Sequence, residues 1–322
     1  MFKILIVGAG NIGRRHLQAL LKLDSPVEIC VVDPSPESLR LAKESVGRGA
    51  RGRVELVRSK ELPAGPRDLV VVATASDVRL AAASAAVRDV KPRFLILEKF
   101  LFQREKDYAD FGRILRRSRT RCWVNCPRRL WPVYRGLRDA FAGSTTMKLS
   151  LAGSRVGLGC NGIHIVDLLA FLFGRGPLDL RFEARFLDGR IAPSKRPDFI
   201  EFTGMLVGAG GGAAIDLHSF AGHETPEVLT VSSDTANAVV EEAGGLVRLS
   251  LSSRGWKWTQ SRFKAPYQSE LTNAVAADLI RRGDCGLTPY AESASYHLAL
   301  LKAFNAHLAR VQGRAPAACP IT

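Results

Sequence analysis

The run Phe2-Lys3-Ile4-Leu5-Ile6-Val7 leads directly into Gly8-Ala9-Gly10-Asn11-Ile12-Gly13, and no other junction constrains the fold as strongly. A short apolar run that stops at glycines reads as a buried strand entering a tight turn. Ile12, Leu17, Leu20, Leu21 and Leu23 follow at helical spacing. A glycine turn between strand and helix is only a weak signal alone. Here a second apolar run, Val27 to Val32, ends at Asp33, 20 residues past Gly13. That is the context a dinucleotide site requires. Gly8 permits the turn, Gly10 lets the backbone approach a pyrophosphate, and Gly13 lets the helix pack on the strand. Asn11 and Ile12 open the helix whose N-terminus favours an anion. Asp33 would accept hydrogen bonds from ribose hydroxyls and repel a 2′-phosphate, so NAD is expected over NADP. Arg14 and Arg15 lie close by and could reach a phosphate.

Strand and helix patterns alternate from there. Helix 35–45 has Ser35 as candidate N-cap. Strand 69–73 precedes the Ala-rich helix 77–87, and strand 94–97 ends at Glu98-Lys99. Helix 104–119 and strand 122–125 follow. This order implies a doubly wound parallel sheet, a Rossmann domain, over residues 1–122. After about residue 145, short strand candidates at 147–151, 180–186, 199–207, 213–220, 228–231, 238–241 and 246–251 succeed one another. They imply a mostly antiparallel open sheet in an α+β domain, 123–322. One helix, 162–173, sits near its start. Helices 269–282 and 291–311 close the chain, and the last ones are expected to pack back on the first domain.

Charge and cysteines limit the function classes. The 322 residues carry 46 basic and 31 acidic side chains, a net charge of +15. Of these, 24 basic and 14 acidic residues lie between Met1 and Cys122. A basic balance suits an anionic partner. No helix-turn-helix, zinc finger or aromatic-rich basic strand accompanies it, so nucleic acid is not expected. An anionic dinucleotide, and an anionic substrate, is a sufficient class of partner. No apolar stretch approaches the ~20 residues of a membrane span. Cys30, Cys122, Cys126, Cys160, Cys285 and Cys319 are scattered, so no metal site is expected; free thiols in a cytoplasmic setting are. No Tyr is followed four residues later by Lys, so the short-chain dehydrogenase pair is missing. Gly222-His223-Glu224 lacks the cysteine cluster of a zinc dehydrogenase.

Two further features carry chemistry. Ligands of doubly wound sheets bind beyond the carboxyl ends of the strands. Lys99 stands there, either as a proton-handling group or as an exposed partner of Glu98. Gly162-Ile163-His164-Ile165-Val166-Asp167 places His164 and Asp167 three apart on one helical face, beside a helix start.

Together these residues give the chain a resemblance to the glucose–fructose oxidoreductase/inositol dehydrogenase (Gfo/Idh/MocA) family over nearly its whole length. The matching features are GAGNIGRRH with His16, the strand end Ala73-Thr74, Glu98-Lys99, the segment Asn125 to Tyr134, the Gly-Ile-His-x-x-Asp helix, and Leu287 to His297. The resemblance implies an NAD(P)-dependent oxidoreductase acting on a sugar or cyclitol hydroxyl. Lys99 would then hydrogen-bond the reacting hydroxyl, and His164 would act as acid/base or orient substrate. Ala73, Thr74 and Glu98 would lie at the cofactor. Arg129, Tyr134, Cys160 and Asn161 would lie at the substrate. Two positions depart from the family pattern: Phe100 replaces a proline, and Cys160 replaces an aspartate. Either Lys99 and His164 suffice, or Asn161 or Asp167 substitutes, or the chemistry differs. The Cys-Asn-x-Ile-His variant resembles members associated with bacterial surface-polysaccharide metabolism, which points to a nucleotide-linked or amino sugar. The alternative is a non-catalytic NAD-binding sensor on the same fold. A homodimer or homotetramer is expected through the outer face of the second sheet, where too few helices are available to cover it.

Overall fold

The computed structural model describes residues 1–46 and 53–322. The chain divides into two compact units. The first comprises Met1–Phe102, Lys106–Pro127 and Pro266–Ala291. The second comprises Gln103–Glu105, Arg128–Ala265 and Glu292–Thr322.

The first unit alternates β1 (Phe2–Val7), α1 (Asn11–Leu20), β2 (Val27–Val32), α2 (Pro36–Ser45), β3 (Arg53–Val57), β4 (Leu69–Val72), α3 (Ser76–Ala85), β5 (Phe94–Leu97), α4 (Glu105–Arg116) and β6 (Arg121–Val124). The labelled strands are all parallel, in the order β6-β5-β4-β1-β2-β3. Sequence order reverses between β1 and β4, the switch point where doubly wound sheets bind ligands. Every residue of β4 and β5 is buried, and each such aliphatic side chain contributes about 1.5–3 kcal/mol. Ser35 caps α2 as expected, its hydroxyl accepting from the Ser38 amide at 3.2 Å. β3 was not expected, because its alternating Arg53-Val-Glu-Leu-Val lacks the apolar run of the central strands. The sequence placed the domain junction after Cys122. In the structure β6 pairs with β5 through Val124, so the first unit continues to Pro127. It also takes in helix Thr272–Arg282 and the two residues Thr288–Pro289, which pair antiparallel with β6.

The second unit begins with α5 (Pro132–Ala140), an amphipathic helix that the sequence reading missed. It continues with β7 (Met147–Ser154), α6 (Leu158–Phe173) and β8 (Arg181–Glu183). A small ladder of β9 (Ala192–Pro193) and β10 (Ile200–Glu201) follows. Then come β11 (Gly204–Gly210), β12 (Ala213–Phe220), β13 (Val228–Ser233), β14 (Ala236–Glu241), β15 (Leu246–Leu251) and β16 (Trp258–Arg262). Eight of these strands form one sheet in the order β16-β15-β14-β13-β7-β12-β11-β8. Every pairing is antiparallel except β7 with β12. Burial alternates strictly along β12 and β14, so one face makes the core. On the other face Asp216 accepts from Lys148 at 2.9 Å and from Ser150 at 2.8 Å. The helix expected from Gly162 starts at Leu158, which places His164 in its second turn rather than at its start. Among the described residues no helix is long and apolar enough to cross a membrane.

Candidate active site

The glycine loop stands at the carboxyl edge of the first unit's sheet. Gly8 has φ +97°, and a side chain there would lie 3.1 Å from the backbone of Ala73 and Thr74. Ala73 and Thr74 therefore form the wall of the turn. A side chain at Gly13 would meet the Gly8 carbonyl oxygen at 1.9 Å, so helix and turn close only on glycine. Gly10 differs: nothing lies within 4 Å of where its side chain would point. That open cradle, with Asn11 and Ile12 opening an α1 whose first turn has no acidic residue, fits a pyrophosphate. Asp33 has a structural duty the sequence did not reveal. Its Oδ2 accepts from the Ala9 amide and its Oδ1 from the Ser35 amide, both at 2.7 Å. Each carboxylate oxygen keeps a lone pair for a ribose hydroxyl.

Lys99 follows β5 on the same edge, and its backbone is held from both sides. Glu98 is buried. Burial alone would raise its carboxyl pKa. The hydrogen bonds from His16 and Asn125, with the Lys99 charge, outweigh that and hold it below the usual value. A carboxylate only accepts, so His16 Nε2 donates to Glu98 Oε1 at 2.8 Å. On the other ring nitrogen, Nδ1, the Thr272 hydroxyl lies at 2.8 Å and itself accepts from Gln268 Nε2 at 3.1 Å. On the far side of Lys99, the guanidinium of Arg79, 1% exposed, donates to the carbonyls of Thr74, Phe100 and Leu101. The Lys99–Phe100 peptide is cis. Sequence reasoning missed Arg79. The signal was a lone arginine three residues past Ser76 and four before Ala83, both on the buried face of α3.

In the second unit, α6 is buried from Leu158 to Ala170 except at Cys160, Asn161 and His164. Cys160 and Asn161 lie four and three residues before His164, so each neighbours it on the helix surface; Asp167, which the sequence placed on the same face, is buried. Glu201, which the sequence did not flag, holds the N-terminus of α6. Its Oε2 accepts from the Gly159 amide at 2.8 Å and its Oε1 from the Cys160 amide at 2.9 Å. A carboxylate there complements the helix dipole. Asn161 Nδ2 donates to the Val156 carbonyl at 3.2 Å.

Two expected substrate contacts have structural partners instead. Arg129, 9% exposed, donates through Nε and Nη2 to Asp167 at 2.9 and 3.2 Å. Asp167 is fully buried, so the carboxylate offered as a stand-in for the missing acid neutralises an arginine. Tyr134 is also fully buried, on the inner face of α5, and donates to Glu242. Arg128 grips the same carboxylate through two 2.8 Å hydrogen bonds. Burial would raise the Glu242 pKa, yet Arg128 and Tyr134 hold it below the usual range. Burial and the Glu242 charge push the Tyr134 phenol well up. Lys99 and His164 belong to different units.

The family profile described as NADP oxidoreductase coenzyme F420-dependent matches residues 3–96. No curated protein matches the chain by sequence. Solved structures match it throughout. An oxidoreductase from Agrobacterium radiobacter, in complex with NAD+, L-tartaric acid and magnesium, superposes with TM-score 0.70 at 16% identity, covering 98% of each chain. UDP-N-acetylglucosamine 3-dehydrogenase GnnA from Acidithiobacillus ferrooxidans gives TM-score 0.66 at 15% identity, over 94% of this chain and 96% of that one. The transcriptional regulator Gal80p from Kluyveromyces lactis gives 0.67 at 13% identity, over 96% and 90%. The chain therefore has the fold of the Gfo/Idh/MocA oxidoreductases, with an NADP-oxidoreductase-type first domain.

Proposed function

We propose that this protein is an NAD-dependent oxidoreductase moving a hydride between the nicotinamide and a hydroxyl or keto carbon of a sugar derivative. The observation that carries the reading is the double anchoring of Lys99 on the sheet edge that also bears the open Gly10 cradle. Gly8, Gly10, Asn11, Ile12 and Gly13 hold the pyrophosphate, with Ala73 and Thr74 as the wall of the turn, and Asp33 takes the ribose hydroxyls. The bound nicotinamide supplies the hydride acceptor or donor at C4. Glu98 and Arg79 fix the backbone on either side of Lys99, whose ammonium orients the reacting oxygen and returns or takes its proton. Cys160, Asn161 and His164 present the polar stripe of α6 to the substrate, with His164 as second proton-handling group. Asp167 is committed to Arg129 and Glu201 to the helix N-terminus, so neither is given a proton-transfer role in this reading. A nucleotide-linked or amino sugar is the substrate class, supported by the Cys160-Asn161 variant and by the likeness to a nucleotide-sugar dehydrogenase. A cytoplasmic setting belongs to the same reading, since the six cysteines form no disulfide among the described residues. Assembly through the outer sheet face into a dimer or tetramer belongs to the same reading, and light scattering checks it.

The likeness to a transcriptional regulator favours a second reading, an NAD-binding sensor without turnover. Absorbance of NADH with a panel of nucleotide-linked sugars, in both directions and with NADP alongside, separates the two. Turnover that requires Lys99 supports the enzyme. Tight NAD binding with no turnover on any member of the panel overturns it.

A further inference from the structure

The amino edge of the first unit's sheet carries a feature that the redox reading leaves unused. A cavity of about 830 Å³ opens under the starts of β4, β5 and β6. It is lined by Arg67, Arg88, Lys91, Arg93, Arg117 and Arg119, and by no acidic residue. None of these six forms an ion pair with Asp or Glu among the described residues; Arg67 spends one nitrogen on the Pro66 carbonyl at 3.1 Å. The walls are set by backbone. Thr120 donates to the Pro92 carbonyl at 2.7 Å and Ser118 to the Leu115 carbonyl at 2.9 Å, fixing the turns that enter β5 and β6. Val87 and Pro92, both buried, and Ile114 give the cavity an apolar floor.

Six cations around one concavity repel one another unless a counter-charge joins them. A cavity of this size is in the range of small-molecule sites and much larger than a lone phosphate needs. An apolar floor with arginines at the rim suits a planar ring, which guanidinium groups also stack against. We propose that this cavity binds a nucleoside di- or triphosphate, its phosphates among the arginines and its base on the Val87, Pro92 and Ile114 floor. The site is separate from the glycine loop, because about 13 Å of four-residue strand lies between the two edges of a parallel sheet. It is also independent of the proposed hydride transfer. The site accounts for part of the excess positive charge of residues 1–122, which one dinucleotide does not need.

Calorimetric titration of the full chain with ATP, in saturating NAD+, tests the assignment. The expected result is saturable one-site binding that NAD+ leaves unchanged and that weakens several-fold between about 50 and 200 mM salt. The triple variant Arg88→Ala, Arg117→Ala, Arg119→Ala should lose about tenfold or more in ATP affinity while keeping the parent's NAD+ affinity and melting temperature. Should the triple variant fold poorly, Arg88→Gln alone should still weaken ATP by about threefold. Displacement of ATP by NAD+ would show that ATP sits in the glycine loop and overturn the proposal. Equal affinity for inorganic pyrophosphate and ATP would overturn the nucleotide assignment, as would equal ATP affinity in parent and variants. Tighter, length-dependent binding of duplex DNA would instead make the patch a nucleic-acid surface.

Discussion

Lys99 and His164 are supported in different ways. Lys99 sits on a short turn held by groups from distant segments: His16 and Arg79 from helices and Asn125 from the next strand end, with Thr272 in turn on the His16 ring. His164 sits inside a continuous helix that is buried on most sides, with one distant group, Glu201, 42 residues on from Gly159, holding its N-terminus. The placement of Lys99 is thus a tertiary property, and a remote side chain can disturb it. The placement of His164 depends more on the helix that carries it, so changes to the helix or to Glu201 at its N-terminus should move it most.

The largest effect should come from Lys99→Ala. Loss of a positioned proton-transfer group lowers kcat by about 10²–10⁴-fold, with NAD affinity unchanged by titration. His164→Ala should cost less, because the role proposed for Lys99, to hold the reacting oxygen, is left in place. A larger loss at His164 than at Lys99 would reverse the assignment of roles. Next in size is Asp167→Ala. It strands the buried Arg129 charge and should lower stability by about 3–5 kcal/mol, seen in denaturant unfolding. If Asp167→Ala instead unfolds like the parent and loses substrate affinity, Arg129 is a substrate contact after all.

His16→Ala probes the remote support of Lys99. It removes one hydrogen bond to the buried carboxylate of Glu98 and should cost about 1–3 kcal/mol, with kcat falling while NAD affinity holds. The pH dependence has a definite sign. Glu98 is held below its ordinary value in the fold, so its stabilisation is present at neutral pH. It is lost as pH falls below ~4.3 through the depressed folded-state pKa. The variant should therefore show a shallower loss of stability on acidification than the parent. Identical acid-unfolding curves would mean that His16 does not hold Glu98. Gly10→Ala should act oppositely to these packing changes. No atom obstructs the new methyl group, so the melting temperature stays and NAD affinity drops about tenfold.

How far the sequence foretold this depends on whether a feature is local. β1, β2, β5, β12 and β15 are continuous or alternating apolar runs, and their bounds agree with the runs. α5 was missed because Trp131-Pro132-Val133-Tyr134 reads as an irregular entry segment, although proline suits a first helical turn. Helical spacing pairs His164 with Asp167, which the structure buries against Arg129; Cys160 and Asn161 come from the family resemblance, because the helix expected from Gly162 does not reach them. The partners of Arg129, Tyr134 and Glu98 were not legible. Each lies from 27 to 108 residues away in sequence, and an arginine beside an aromatic segment looks the same whether it faces substrate or Asp167. Buried ion pairs mimic binding residues in sequence because both need charge among apolar neighbours.

Asp33 gives the smallest and most discriminating effect. Its carboxylate accepts the Ala9 and Ser35 amides, and in the proposed reading it also sets negative charge against a 2′-phosphate. Asp33→Asn separates the two roles. The asparagine keeps one carbonyl oxygen for a loop amide, so the glycine turn should persist with a loss of about 1 kcal/mol or less. The negative charge is gone, so NAD affinity should fall slightly while NADP affinity rises. Measured by kcat/KM for the two cofactors, the preference for NAD should shrink by about tenfold. If NAD and NADP fall together, Asp33 acts only as a brace for the Ala9 turn, and cofactor choice is made elsewhere in the loop. If the ratio moves while the melting temperature does not, charge at this one position selects the cofactor.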